Sequence, residues 1–370
     1  MLKILHIMGC SDAGGISSVV RSFYTFIDRQ RFHFDIALTV PEQGQNSRAL
    51  EGMGAKIYFI PLKAQDRQGF ARELTRILKD GHYDGIHVHE SETSYVALRL
   101  AKQLGIPCRI AHAHTSSPYE GLRGVVRRWS GCLLNCVYAT HAIACGKLAG
   151  DRVFGKINMR LGRAVVLPNA VDTKRFAFDP QVRQEVRREL GAEDCLVLGM
   201  VTRLSEEKNV VYGPEVLKRL LKAVPNAILA VAGNGPEEEN LRRKVEELGL
   251  QDRVRILGRR GDVERLYQAY DLFLLPSIHE GFPVAAVEAL SSGLPVLMSD
   301  TITKELSCYS GVTYLPLSDP EVWAKKAASL AGDEGRAARQ GEPRAQGMDI
   351  RDSAEVLSRM YRQDVEKYRK

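Results

Sequence analysis

The stretch that decides the fold runs from Leu272 to Leu290 and reads LFLLPSIHEGFPVAAVEAL. It opens with a short apolar run, Leu272–Leu275, and a loop containing Gly281 leads to a helix that begins near Pro283. Short apolar runs without alternation are typical of parallel strands that are buried on both faces. A strand, a loop and a helix in this order predict one βα unit of an open, doubly wound sheet.

The same alternation of short strands and amphipathic helices extends to both sides of this stretch. The predicted strands are Lys3–Met8, Phe34–Val40, Lys56–Ile60, Gly85–His89, Cys108–His112, Ala142–Cys145, Ala164–Leu167, Leu196–Val201, Ala227–Ala232, Val254–Leu257, Leu272–Leu275 and Val296–Ser299. Helical patterns such as Ser17–Ile27, Gln68–Lys79 and Tyr95–Leu104 lie between them. The rhythm breaks over residues 168–180, a polar stretch that resembles an interdomain connection.

A chain of 370 residues is long enough for two domains of ordinary size. We therefore predict an α/β protein of two Rossmann-like domains, residues 1–172 and 173–348, and a C-terminal helix over 349–370. This helix is either a solvated end or, as we expect, packs back on the first domain. Ligands of doubly wound domains bind beyond the carboxyl ends of the strands, so we expect the two domains to face each other across a ligand-binding cleft.

The first candidate site residues are two cations in the segment Thr202–Asn209, which follows a predicted strand. Arg203 supplies a planar fork of donors and Lys208 a mobile point charge, a combination suited to a diphosphate. Two solvated surface cations are the alternative. Two glutamates eight residues apart form the second candidate: Glu280 on the loop after Leu275, and Glu288 in the following helix. Carboxylates accept hydrogen bonds from vicinal hydroxyls, as a hexose or a ribose presents them.

Two glycine-containing turns are weaker signals. Gly14 and Gly15 precede a predicted helix, where backbone N–H groups and the helix dipole favour an anion. Gly233 follows the predicted strand Ala227–Ala232 and could border a nucleotide. Either turn could instead be a tight βα connection without a ligand.

The net charge of +7 comes from one part of the chain, residues 121–163, which carry eight basic side chains and one acid. The segment begins with Arg123, Arg127, Arg128 and Trp129 on a predicted helix. Such a surface attracts phosphates, anionic lipid or nucleic acid, or is simply solvated. Without interleaved aromatics we do not expect nucleic acid. The opening apolar run is too short for a signal peptide or a membrane span, so we expect a cytoplasmic protein, with peripheral contact at the inner face of the plasma membrane.

Taken together, these motifs resemble the retaining glycosyltransferases of family 4, which have the GT-B fold, and in particular the bacterial exopolysaccharide enzymes. The resemblance covers nearly the whole chain. It rests on Leu5-His6-Ile7, Gly14-Gly15, the segments 110–114 and 168–172, residues 299–305, and above all the segment from Glu280 to Glu288. The chain departs from many relatives in lacking an acidic residue after Gly15 and in having Thr202 before Arg203.

The resemblance implies a role for each matching residue. Arg203 and Lys208 would hold the donor diphosphate together with the Gly15 backbone, while Glu288 would hold the ribose and Glu280 the transferred sugar. His114 would position the sugar. The remaining donor-lining residues would be Gly14, Gly233, Gly281, Phe282, Pro283 and Val284. Of the whole set, His114, Arg203, Lys208 and Glu280 are the predicted catalytic residues.

The resulting expectation is a hexosyltransferase that moves a hexose or N-acetylhexosamine from a nucleotide diphosphate sugar, with UDP expected, to a saccharide or lipid-linked acceptor. We expect no cofactor and no metal ion, because the sequence has no D-x-D pair. Cations and a helix N-terminus could stabilise the leaving phosphate instead. The alternatives are a nucleotide-sugar 2-epimerase and a non-catalytic scaffold that binds nucleotide sugars.

Overall fold

The computed structural model describes residues 1–9, 15–40, 42–114, 121–333 and 335–369, without the side chains of Glu92 and residues 121–128. The chain divides into two compact units. The first unit is Met1–Ala170 together with the helix that starts at Ile350, and the second is Val171–Asp349. Each unit contains one parallel sheet with helices between its strands, so the predicted pair of Rossmann-like α/β domains is confirmed.

The first unit contains a seven-stranded sheet with the order β3-β2-β1-β4-β5-β6-β7. Its strands are β1 Leu2–Met8, β2 Phe32–Leu38, β3 Ile57–Phe59, β4 Gly85–Val88, β5 Cys108–Ala113, β6 His141–Ala144 and β7 Ala164–Val166. Its helices are α1 Gly15–Phe26, α2 Gln45–Gly52, α3 Arg67–Gly81, α4 Tyr95–Gln103, α5 Gly121–Tyr138, α6 Lys147–Gly150 and α7 Lys156–Arg160. A π-helical turn, Asp151–Gly155, joins α6 to α7.

The second unit contains a six-stranded sheet with the order β10-β9-β8-β11-β12-β13. Its strands are β8 Leu196–Val201, β9 Ala227–Ala232, β10 Val254–Ile256, β11 Leu272–Leu275, β12 Val296–Ser299 and β13 Val312–Leu315. Its helices are α8 Pro180–Leu190, α9 Tyr212–Leu220, α10 Glu238–Glu247, α11 Val263–Ala269, α12 Val284–Ser291, α13 Pro320–Ser329, α14 Arg336–Arg339 and α15 Glu342–Ala345. Within the described residues no helix has the length and hydropathy needed to cross a bilayer.

The last helix, α16 Ile350–Arg369, belongs to the first unit although 179 residues of the second unit precede it. Its apolar residues Ala354, Leu357 and Tyr361 recur every three or four positions, so they form one face of the helix. This face packs into the core of the first unit, where the Tyr361 ring lies edge-on to Phe34 with centroids 6.0 Å apart. The predicted packing of the C-terminal helix on the first domain is confirmed.

Replacing Leu357 with alanine should destabilise the first unit by about 2–5 kcal/mol, because a fully buried leucine leaves a cavity when it is truncated. Chemical denaturation followed by circular dichroism measures the change. Glu355→Ala, an exposed position on the same helix, is the matched control and should alter stability by less than about 0.5 kcal/mol. Equal effects of both substitutions would mean that burial of this apolar face of α16 does not contribute to the stability of the first unit.

Candidate functional site

Three loops at the carboxyl edge of the second unit's sheet are tied together by backbone hydrogen bonds. The loop after β8 meets the loop after β9, since Leu204 N–H donates to Asn234 C=O at 2.9 Å and Glu237 N–H donates to Leu204 C=O at 2.9 Å. It also meets the loop after β11, where Ile278 N–H donates to Glu207 C=O at 2.8 Å. Side chains carried by these loops are therefore held on a common backbone frame.

Gly233 makes the close approach of two of these loops feasible. Its φ of +145° is disfavoured for any L side chain, and a Cβ atom there would lie 1.7 Å from the carbonyl oxygen of Thr202. The structure thus gives Gly233 a packing reason to be glycine. Its contact with a donor nucleotide stays a prediction.

The two predicted diphosphate ligands lie on the loop after β8, and each forms an ion pair. The Arg203 guanidinium is half-exposed and donates to Glu207 Oε1 at 2.5 Å, four residues further along the chain. Lys208 ends the short 3-10 turn Glu206–Lys208, and its ammonium donates to Glu280 Oε2 at 2.7 Å. The structure therefore brings one predicted cation directly to one predicted carboxylate.

The Lys208–Glu280 pair joins the loops after β8 and β11, and its two side chains are 20% and 11% exposed. The other carboxylate oxygen of Glu280 accepts a hydrogen bond from the Ser277 hydroxyl at 2.9 Å. A nearly buried ion pair contributes little net stability, whereas removing one partner leaves the other charge uncompensated. Glu280 is thus fixed in orientation by two donors.

Glu288 lies on α12, just over one turn after the start of the helix, and its environment differs from that of Glu280. The residue is partly exposed, but its carboxyl group is enclosed by protein, and Tyr267 Oη donates to Glu288 Oε2 at 2.8 Å. Burial raises the pKa of Glu288 to about 7, and the hydrogen bond from Tyr267 opposes the rise. Tyr267 was absent from the sequence prediction, since nothing in the sequence links residues 21 positions apart on different helices.

The remaining predicted donor-lining residues of the second unit lie between these two carboxylates. Gly281 and Val284 are partly exposed, whereas Phe282 and Pro283 are buried. Pro283 occupies the N-cap position of α12, without a side-chain capping hydrogen bond. The structure places the four residues on the segment from Glu280 to the first turn of α12, and their contact with a ligand stays a prediction.

In the first unit, Gly14 lies outside the described residues, Gly15 is the first residue of α1, and His114 follows β5. His114 belongs to a row of five histidines that the sequence analysis did not recognise. His6 lies on β1, His87 and His89 at the end of β4, and His112 and His114 at the end of β5. The pattern H-x-H was a signal for this row, because alternate strand residues share a face. It occurs at 87–89 in one predicted strand, and at 112–114 it begins on the last residue of another.

The five imidazoles are joined by close contacts between ring nitrogens. His6 Nδ1 lies 3.1 Å from His89 Nε2, and His89 Nδ1 lies 2.8 Å from His114 Nε2. A second chain runs from the Tyr361 hydroxyl to His87 Nδ1 at 2.7 Å, and from His87 Nε2 to His112 Nδ1 at 3.1 Å. Burial lowers the pKa of His6 and of His114 to about 3, and it also lowers the pKa of the other three rings, so all five are neutral near pH 7.

The basic segment forms a surface with an apolar stripe. The side chains of Arg123, Arg127 and Arg128 lie outside the described residues, but their backbone forms the predicted helix, α5. Further along α5, Trp129, Leu133 and Val137 are 74%, 64% and 51% exposed at a spacing of four residues, so they share one face.

Helix α5 packs against the π-helical turn that leads into α7, where Ile157 and Leu161 are 72% and 61% exposed. Exposed basic residues accompany them, namely Lys156, Arg160 and Arg163. We call the five exposed apolar residues and these three cations the apolar–basic surface.

Comparison with known proteins assigns the chain to a family. Residues 13–175 match the family described as Glycosyltransferase Family 4, and residues 182–343 match the family described as Glycosyl transferases group 1. A putative glycosyltransferase of Bacillus subtilis, EpsF, is 30% identical, and the alignment covers 99% of this chain and 97% of the relative. The chain belongs to the GT-B glycosyltransferases.

A second sequence relative and a solved structure are also similar to this glycosyltransferase. A galactosyltransferase of Escherichia coli that is named for UDP-Gal and α-D-GlcNAc-diphosphoundecaprenol is 26% identical over 81% of this chain and 79% of its own length. The crystal structure of Anabaena HepE in complex with UDP has a TM-score of 0.76 at 18% identity, covering 100% of this chain and 97% of that one. The likeness to HepE confirms the GT-B fold.

The raised pKa of Glu288 makes the stability of this glycosyltransferase depend on pH. The folded state binds the Glu288 proton more tightly than the unfolded state does, so its stability falls as the pH rises from 4.5 to about 7. Glu288→Gln cannot titrate. Relative to the wild type, its unfolding free energy should therefore increase by about 3 kcal/mol between pH 4.5 and about pH 8, as calorimetry at the two pH values would measure.

Two neighbouring tyrosines provide the controls. Tyr267→Phe removes the hydroxyl that favours the charged carboxylate, so it should steepen the pH dependence. Tyr270→Phe should leave it unchanged, because the buried Tyr270 hydroxyl has no hydrogen-bond partner among the described residues. If the unfolding free energy of Glu288→Gln had the same pH dependence as that of the wild type, the assignment of the raised pKa to Glu288 would be wrong.

Proposed function

We propose that this glycosyltransferase is a retaining hexosyltransferase that moves a hexose or N-acetylhexosamine from a UDP-sugar to a saccharide or lipid-linked acceptor. The acceptor would belong to exopolysaccharide or other cell-surface glycan synthesis. The observation that carries the proposal is the Lys208–Glu280 pair beside Arg203, on loops that are tied together at one edge of the sheet. These residues place cations that can donate hydrogen bonds to a phosphate close to a carboxylate that can accept hydrogen bonds from sugar hydroxyls.

The cations are suited to a diphosphate because their present partners are replaceable. A half-exposed pair such as Arg203–Glu207 is worth about 1 kcal/mol or less, so the guanidinium can turn to a phosphate at little cost. The Lys208 ammonium has three N–H donors and now donates to Glu280 at 2.7 Å. A bound phosphate would draw it away from Glu280. Glu280, still oriented by Ser277, would then accept hydrogen bonds from the sugar hydroxyls.

Glu288 is suited to the ribose of the donor. Tyr267 occupies one carboxylate oxygen, and the other oxygen remains able to accept from a vicinal diol. Because the carboxyl group of Glu288 is already desolvated, ligand binding costs little further desolvation free energy there. The ribose hydroxyls would in turn favour its charged form, because they donate to it.

Relatives support UDP as the nucleotide and a glycan or lipid-linked acceptor. HepE was solved with UDP and with UDP-glucose, and the E. coli relative is named for UDP-Gal and a diphosphoundecaprenol-linked sugar. The relative EpsF is the support for an exopolysaccharide role.

In the proposed reaction the bond between the anomeric carbon and the leaving phosphate oxygen breaks, and the acceptor oxygen bonds to that carbon on the same face. The acceptor proton passes to the leaving phosphate, so no protein base is required. Arg203 and Lys208 would stabilise the negative charge without a metal ion. His114 would position the donor sugar.

We further propose that the apolar–basic surface docks on an anionic membrane at the cytoplasmic face, where a lipid-linked acceptor would be presented. Trp129 and Leu133 would enter the interfacial region, and the neighbouring cations would meet lipid phosphates. Exposed aromatic and aliphatic side chains bordered by cations are the combination that such binding requires.

The donor assignment is tested by thermal stabilisation and nucleotide release with UDP-, GDP- and ADP-sugars, in EDTA and again with Mg²⁺ added. UDP-sugars alone should stabilise the protein. Removal of a charge-assisted contact costs about 1.5–3 kcal/mol, so Arg203→Ala and Lys208→Ala should each weaken UDP binding by about 10- to 150-fold. Neither EDTA nor Mg²⁺ should change turnover.

Arg242→Ala is the matched control, because Arg242 forms an exposed ion pair with Glu238 at the same four-residue spacing as Arg203 with Glu207. It should bind UDP as the wild type does. Nucleotide release without an acceptor would favour the epimerase, and tight donor binding without turnover on any acceptor would favour the scaffold. Turnover that stops in EDTA and returns with Mg²⁺ would refute metal independence.

Membrane docking is tested by intrinsic fluorescence, since of the two tryptophans Trp323 is fully buried and Trp129 is 74% exposed. Emission should shift to the blue with phosphatidylglycerol vesicles but not with phosphatidylcholine vesicles. Leu133→Glu should weaken binding by about tenfold or more, whereas Val322→Glu, an exposed site on α13 of the other unit, should not. A spectrum that is indifferent to anionic lipid would refute docking.

A further inference from the structure

The histidine row of the first unit has a composition that core packing alone does not explain. Its five rings come from three neighbouring parallel strands, with His6 on β1 directly opposite His87 on β4. Consecutive rings are stacked or tilted, and the His112 and His114 centroids lie only 3.9 Å apart. Five polar rings thus occupy places that aliphatic side chains fill elsewhere in such sheets.

Within the described part of the chain, the row has no charged partner that would account for it. Other histidines of the same sheet meet carboxylates: His33 contacts Asp35 at 2.9 Å, and His141 contacts Asp364 at 3.1 Å. Among the residues that the structure describes, none of the five rings in the row has a carboxylate within ion-pair distance. The imidazoles are therefore arranged to contact one another.

The hydrogen bonds between these rings do not use all of the ring nitrogens. Each neutral ring has one N–H and one lone pair, and every nitrogen–nitrogen contact uses one of each. Three buried nitrogens, His6 Nε2, His112 Nε2 and His114 Nδ1, have no hydrogen-bond partner within the described part of the chain. Unpartnered imidazole nitrogens in a protein interior are the groups that bind transition-metal ions.

We propose that His89, His112 and His114 bind one divalent transition-metal ion of the kind that prefers imidazole, with Zn²⁺ as the type. One ligand nitrogen from each ring lies within 4.8 Å of the others. In a tetrahedral zinc site, bonds of about 2.0–2.1 Å place the nitrogens about 3.3 Å apart. The rings would rotate to reach this geometry, and His89 would give up one of its two contacts, with His6 Nδ1 or with His114 Nε2. Three protein ligands leave the fourth position open to water.

A second group of three, His6, His87 and His89, also meets the distance requirement, but all its members are buried. His114 is partly exposed and lies just beyond the carboxyl end of β5, so the first group lies nearer to solvent than the second. His114 is also the residue proposed to position the donor sugar, whereas Arg203 and Lys208, proposed for the diphosphate, lie in the other unit. Ion binding by the three rings requires no nucleotide sugar, so it can be tested separately from the proposed function.

The test is binding of the metal alone to the full chain after treatment with a chelator. Isothermal titration with Zn²⁺ should give one ion per chain, and Co²⁺ should give a visible ligand-field spectrum without the strong thiolate charge-transfer band that cysteine ligands produce. His114→Ala should weaken Zn²⁺ binding by more than about 100-fold. Loss of a residue that only hydrogen-bonds to a ligand costs up to about 100-fold in affinity, and loss of a direct ligand should cost more. His141→Ala, a histidine on the adjacent strand outside the row, should bind as the wild type does.

Circular dichroism of each variant establishes that it is folded, and His112→Ala supplies a second ligand variant with the same expected loss. Three results would overturn the proposal: no saturable binding, a cobalt spectrum with thiolate bands, or binding that survives His114→Ala and is lost in His6→Ala. The last would move the ion to the deeper group. Because no nucleotide sugar is present, these results are separate from any failure of the donor assignment.

Discussion

The parallel pairing of the strands is the constraint on which both candidate sites depend. In a parallel sheet every strand ends at the same edge, so residues that follow different strands are brought together there. In the second unit this gathers Arg203 and Lys208 after β8 with Glu280 after β11. In the first unit the same arrangement aligns histidines from β1, β4 and β5 on one face.

The side chains of the proposed donor site pair with one another in a way that a ligand could change. Backbone hydrogen bonds between loops fix the frame, whereas the functional side chains pair with each other through Lys208–Glu280 and Arg203–Glu207. Such pairs keep the charges of these four side chains satisfied in the absence of substrate. A diphosphate and a sugar would replace these internal contacts with equivalent ones, which preserves the frame.

The sequence was most informative where burial is complete. Strands β8, β9, β11 and β12 have the predicted bounds, because their apolar runs are buried along nearly their whole length. Strand β13 was not predicted, since Val312, Thr313 and Tyr314 are only partly buried at the edge of the sheet and give a weak apolar signal. The packing of α16 on the first unit was predicted only in outline, because its partners lie hundreds of residues away in sequence.

The candidate site could be predicted as a set of residues but not as a set of contacts. Motifs identified Lys208 and Glu280, yet their pairing spans 72 residues and depends on strand order. The tyrosine that holds Glu288 and the stacking of five histidines depend on which helices and strands become neighbours.

The most direct measurement is a crystal structure of the full chain with bound UDP. The account predicts the diphosphate on Arg203 and Lys208, the ribose hydroxyls on Glu288, and a Lys208–Glu280 separation greater than the present 2.7 Å. UDP bound away from these residues, with the Lys208–Glu280 pair unchanged, would contradict it.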